Sequence, residues 1–147
     1  MTFLRALLTI AALAAALPLA AGAATPVILT VDTANWQPAP APFTGAQVAT
    51  VVGDPQKGGG YYAYLVKMPD GFRIPPHFHA VTENVNVLGG TLMVGLGDTM
   101  NPSTMQPLPT GGIASIPEGL HHYAMAKGVT IIEVSGVGPD TTTFVQK

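Results

Sequence analysis

Beyond residue 24 the chain alternates short apolar or apolar–polar runs with clusters of Gly, Pro, Asn and Asp, and it never sustains a helical period. That pattern predicts strands near Val27–Val31, Gln47–Val52, Tyr61–Met68, Ile74–His79, Val81–Leu88, Thr91–Leu96, Ile113–Ile116, Leu120–Ala126, Val129–Ser135 and Thr142–Val145. Turn signals separate them at Gly53-Asp54-Pro55, Gly58-Gly59-Gly60, Pro69-Asp70-Gly71, Gly89-Gly90, Thr110-Gly111-Gly112 and Lys127-Gly128. About ten short strands at this spacing describe an all-β sandwich or barrel. Trp36–Thr44 carries three prolines and is expected to form an extended arm. Gly97–Pro109 is the longest connection, with room for one short helical turn.

The first residues follow a different rule. After Arg5, the run Ala6–Leu17 contains one polar residue, Thr9; Pro18 ends it, and Ala21-Gly22-Ala23 supplies small residues. This is the charged, apolar and small-residue order of a secretory signal. As a membrane anchor the run is short of the ~20 residues that span a bilayer. The expected organisation is a signal at 1–23, an extended arm at 24–44 and one domain at 45–147. The expected location is the periplasm or the extracellular space.

Composition narrows the function. Charged residues make up 10% of the chain, against ~25% in ordinary soluble proteins. Six Lys and Arg residues and a net charge of −2 give no electrostatic footprint for nucleic acid. The absence of cysteine excludes disulfides, thiolate metal sites and a cysteine nucleophile.

The four histidines fall in two tight clusters, His77 with His79 and His121 with His122, and Glu83 follows His79 by four positions. Strand side chains two apart share a face, so His77 and His79 can converge on one ion. Glu83 has the same parity and can join them if the chain folds over tightly near Ala80–Thr82. A distant histidine would complete a set of three nitrogens and one oxygen, which suits zinc, copper, manganese or iron(II). Alternation puts His121 and His122 on opposite faces. It also predicts that Val85 and Val87 point inward with Glu83, that Asn84 and Asn86 point outward, and that Phe78 faces away from the ion. Tyr62 and Tyr64 share one face, Tyr61 and Ala63 the other. Arg73 could hold a carboxylate, but Pro75-Pro76 interrupt the parity and a solvated arginine is favoured.

The spacing Gly71-x5-His77-x-His79-x3-Glu83-x6-Gly90 resembles the first cupin motif, and Gly111-x5-Pro117-x-Gly119-x2-His122 resembles the second, with twenty residues between them. The resemblance covers about residues 45–145. It implies a cupin-type double-stranded β-helix, or jelly-roll barrel, with one divalent metal ion held by His77, His79, Glu83 and His122. The family spacing selects His122 over His121. The sequence departs from the family pattern at Ala126, where an asparagine often stands. The resemblance leaves iron, manganese, copper, zinc and nickel open. Its leading implication is a mononuclear metal-dependent oxidoreductase, dioxygenase-like, acting on a small organic molecule. Its alternatives are a non-enzymatic metal-binding or sensory module, or a metal-dependent lyase or isomerase. A small-molecule substrate, no nucleic-acid or membrane partner after signal cleavage, and a homodimer complete the expectation.

Overall fold

The structure, a computed structural model, describes residues 25–146; the segment 1–23 read as an export signal lies outside the described residues. The order is β1 (Gln37–Pro38), β2 (Gln47–Val52), β3 (Tyr61–Met68), β4 (Arg73–His79), β5 (Glu83–Leu96), a 3-10 turn at Pro102–Thr104, β6 (Gln106–Pro109), β7 (Ile113–Ile116), β8 (His122–Val137) and β9 (Thr142–Phe144). One path of neighbours runs β1-β2-β3-β8-β4-β9, while β5 joins it through β8 and carries β6 and β7. All named pairings are antiparallel. The fold class is all-β, as expected.

The sheet curls on itself, and one ladder shows how far. Across β5 and β8, Leu96 pairs with His122 and Asn84 with Ser135. A straight strand rising ~3.3 Å per residue would hold Glu83 about 43 Å from Leu96. Yet a Glu83 carboxylate oxygen lies 3.2 Å from His122 Nε2. The β5–β8 ribbon is therefore doubled over, and its two ends meet. The fold line is at Gly89-Gly90, where the register jumps from Gly89↔Ile131 to Thr91↔Lys127. Gly90 has φ +74°, and a Cβ there would stand 2.3 Å from the Val129 carbonyl oxygen, so only glycine fits. The fully buried Thr130 clasps the corner, its hydroxyl donating to the Thr91 and Gly128 carbonyls at 3.0 and 3.1 Å.

This corner corrects the sequence reading. Val81–Leu88 and Thr91–Leu96 are one continuous strand, as are Leu120–Ala126 and Val129–Ser135. Glycine in a strand can mark a bulge or bend as well as a turn. Val27–Val31 is not a strand; it is mostly apolar, but Val27 and Ile28 are exposed and join no strand pairing among the described residues. Conversely, β6 lies within the stretch read as a connection, disguised by Pro107 and Pro109. It hydrogen-bonds only to β5, an edge position that tolerates proline. The short helical turn expected in that stretch is the one at Pro102–Thr104.

Met68, Val85, Val87, Leu92, Ile132 and Val134 fill the inner face of the curled sheet, each no more than 3% exposed. Burying each such side chain stabilises the fold by about 1.5–3 kcal/mol.

Candidate metal centre

Alternation along β4 sends His77 and His79 inward, both 4% exposed, and turns Phe78 outward to stack on His121 at 4.8 Å. His77 lies directly across from His122 in the β4–β8 ladder. The bend after His79 returns the chain so that Glu83 opens β5 beside them. One ligand atom from each of His77, His79, Glu83 and His122 lies within 4.8 Å of all the others. The four residues expected from the sequence are brought together.

Each ring is oriented from behind. His77 Nδ1 meets the Pro75 carbonyl at 2.7 Å and His122 Nδ1 meets the Leu120 carbonyl at 2.9 Å. His79 Nδ1 meets the Asp140 carboxylate at 3.0 Å. Carbonyl and carboxylate oxygens only accept, so every Nδ1 carries its hydrogen and donates. In the neutral ring each Nε2 is then a bare lone pair, and all three point at the same small space. Glu83 adds its oxygens at 3.6 Å from His79 Nε2 and 3.2 Å from His122 Nε2. His79 Nε2 is buried without a hydrogen-bond partner. Lone pairs confronting one another in a dry interior are costly unless a positive charge sits among them. Three imidazole nitrogens, each held from outside, and one carboxylate are a donor set that fits a divalent transition metal.

Protons compete for the same lone pairs. Burial alone would lower the His79 pKa, but its hydrogen bond to Asp140 and the nearby Glu83 charge raise it above the ordinary value. For Glu83, burial is outweighed by the histidines in their protonated form: His122, which then donates from Nε2, and the charges of His79, His122 and His77 hold its carboxyl low. His77 is lowered to about 4 by burial and by His122, against the opposing Pro75 hydrogen bond. Metal needs the neutral rings, so affinity must fall as pH falls. The loss is expected to begin above pH 6.5, where His79 first takes up a proton. It should run at about tenfold per pH unit for each proton bound and steepen near pH 4, where His77 charges. Cobalt titrations at pH 7.5, 6.5, 5.5 and 4.5 measure this; an affinity flat between 7.5 and 5.5 contradicts it.

A cavity of about 80 Å³ abuts His77, His79 and Glu83, walled by Phe43, Val48, Tyr64, Val66, Phe72 and Ile132 among others. A smaller one, about 30 Å³, lies beside His77, Glu83 and His122 among Val85, Leu92 and Val94. A larger hollow, about 520 Å³, is an open groove along Leu96, Leu108 and Leu120 that touches none of the four residues. Of these three hollows, the two small inner ones adjoin the four-residue cluster. Tyr64 lines the 80 Å³ cavity, and burial together with Glu83 pushes its pKa up, so it remains a hydrogen donor.

The remaining sequence expectations sort cleanly. Arg73 is exposed and lines neither inner cavity. His121 pairs outward with Asp98 at 2.5 Å. Val85 and Val87 are buried in the core, while Asn84 and Asn86 face outward to the Ser135 carbonyl and the Glu133 carboxylate. Asp140 is the residue that sequence reasoning missed. It sits in the turn before β9, and only the pairing of Thr142 with His79 brings it alongside the ring.

Comparison with known proteins agrees with this architecture. A curated relative, germin-like protein subfamily 2 member 1 of Arabidopsis thaliana, is 38% identical over 86 residues, covering 58% of this chain and 38% of that protein. The chain thus spans well under half of that relative's length. The polyketide cyclase RemF from Streptomyces resistomycificus superposes with a TM-score of 0.67 at 15% identity, over 82% of this chain and 85% of its own. A candidate acetylacetone dioxygenase from Methylibium petroleiphilum PM1 gives 0.64 at 19% identity, over 81% and 80%. At such identities the two structures speak for the fold alone. Residues 26–138, with all four converging side chains, match the family described as a domain of unknown function (DUF4437), and the chain belongs to that family and has a cupin-type β-barrel fold.

Proposed function

We propose that the chain is a mononuclear metal-dependent oxidoreductase of dioxygenase type that acts on a small, uncharged organic molecule. The observation that carries this reading is the junction of the four-residue cluster with a small cavity whose other walls are almost wholly apolar. Held by His77, His79, Glu83 and His122, a divalent ion would supply Lewis acidity and redox capacity for substrate and dioxygen. The protein's own part is to exclude water and to orient. Phe43, Val48, Val66, Phe72 and Ile132, which line the cavity, would exclude water, and Tyr64, on the same wall, would donate its hydroxyl hydrogen to a substrate oxygen. No lysine or arginine lines the cavity, which disfavours phosphate or carboxylate substrates. Its ~80 Å³ favours a compact molecule.

Lyase or isomerase chemistry needs a base outside the ligand set. Among the described residues lining this cavity, Tyr64 is the one further titratable group, and its raised pKa makes it a poor base at neutral pH. A dioxygenase reaction asks for less. The substrate supplies all four electrons that reduce dioxygen, both oxygen atoms end in the products, and no external reductant is consumed. The likeness to the candidate acetylacetone dioxygenase points to small 1,3-dicarbonyl compounds as the first to try.

The test is metal analysis of the purified protein, followed by oxygen uptake with neutral 1,3-diketones and phenols. Iron, copper or manganese near one per chain, with oxygen and substrate consumed one to one, is the expected result. Stoichiometric zinc with no oxygen uptake from any iron-reloaded sample would overturn the reading.

A further inference from the structure

We infer that Asp140, Tyr62 and Gly136 form a positioning relay that fixes the His79 ring for ion capture, and that Gly136 sets it without touching the ion site. The inference rests on the metal-binding reading of the site. Asp140 Oδ2 accepts from His79 Nδ1 at 3.0 Å and from the Tyr62 hydroxyl at 3.0 Å. The carboxylate is therefore gripped from two sides. Its own backbone is pinned as well, because Asp140 N donates to the Pro55 carbonyl at 2.7 Å. His77 and His122 are oriented by carbonyls two residues back along the chain; His79 alone among the three relies on a side chain 61 residues away. Its orientation depends on tertiary structure.

Gly136 explains how Tyr62 reaches so far. Tyr62 and Gly136 are direct partners across the β3–β8 ladder. The tyrosine ring lies over the glycine: a Cβ on residue 136 would stand 2.7 Å from Tyr62 Oη and 2.9 Å from Cζ. Tyr62 is 1% exposed and stacks on Tyr64 with centroids 6.0 Å apart, so it has nowhere to yield. A methyl group at 136 would push the phenol off Asp140. The carboxylate would then lose the Tyr62 hydroxyl and be held less firmly against Nδ1, by the His79 ring and the Thr141 backbone N–H.

The relay is tested with Asp140→Ala, Tyr62→Phe and Gly136→Ala, each assayed for folding by denaturant titration. Nitrogen-15 imidazole spectra of the metal-free protein read the His79 tautomer directly, a signal that packing alone does not move. Wild type should show hydrogen on Nδ1; Asp140→Ala should lose that preference, and Tyr62→Phe and Gly136→Ala should weaken it alike. Cobalt affinity, measured against a chromogenic chelator, should fall ~100-fold for Asp140→Ala and about tenfold for the other two, the span usual for partners behind a metal ligand. The double variant Tyr62→Phe/Gly136→Ala should bind no more weakly than Tyr62→Phe alone, since the hydroxyl on which the glycine acts is already gone. An unchanged tautomer in folded Asp140→Ala, or additive losses in the double variant, would overturn the relay. Wild-type protein with the Nδ1 tautomer but no cobalt uptake would support the relay and overturn the metal reading instead.

Discussion

His122→Ala is expected to lower divalent-metal affinity by more than 100-fold, whereas His121→Ala, one residue away, should change it by less than twofold. Removing partners that merely orient a ligand costs about 10–100-fold, and His122 contributes the donor atom itself. Its Nε2 faces the Glu83 carboxylate at 3.2 Å, and its Nδ1 is already committed to Leu120. No neighbour can substitute, because Tyr123 is turned to the other face, with its ring against Gly95. His121 points to Asp98 on the outside. The check is metal content after dialysis, with competition against a chelator of known affinity. Equal losses in the two variants, or none in His122→Ala, would remove the assignment of the ligand set.

The second large effect concerns stability. Gly90→Ala should cost about 2–5 kcal/mol, combining the left-handed backbone penalty of about 1–2 kcal/mol with overpacking of about 1–3 kcal/mol. The added Cβ would meet the Val129 carbonyl at 2.3 Å and Thr130 Cα at 2.9 Å, both backbone atoms that cannot swing aside. Gly111→Ala is the internal control. Gly111 has φ +83° but open space around it, so only the conformational penalty applies, about 1–2 kcal/mol. Against a total stability of about 5–15 kcal/mol, the first variant is marginal and the second comfortable. Urea unfolding of both, in the presence of chelator, measures the difference. Equal costs would mean that the corner relaxes more easily than its contacts imply.

These two residues also show what was legible in the sequence. The ligands were, because strand alternation is local: His77 and His79 lie two apart, and parity separates His121 from His122 without any knowledge of the fold. Two of the three ring orientations are equally local, since Pro75 and Leu120 are each two residues before the histidine they hold. Asp140 was not legible. Nothing near it in the chain marks it as different from any turn aspartate; its role depends on β9 pairing with β4. Gly90 reads as a turn in the sequence, because a local rule cannot tell a chain reversal from a fold across a ribbon. Val27–Val31 failed for the complementary reason. Its residues favour strands, but a strand also needs a partner, and the sheet offers none there.

The doubled ribbon makes the ion site a problem of leverage. From Gly90 to Glu83 the arm is seven residues, or about 23 Å at ~3.3 Å per residue. A rotation of only about 5° at the corner would carry its far end by about 2 Å, several times the ~0.5 Å tolerance of a working constellation. His122 rides on the opposing arm of the same ribbon. The tightness of the Gly90 corner and the clasp of Thr130 across it are thus dimensional controls on a site they never touch. The accuracy with which four side chains meet is machined at the opposite end of the ribbon.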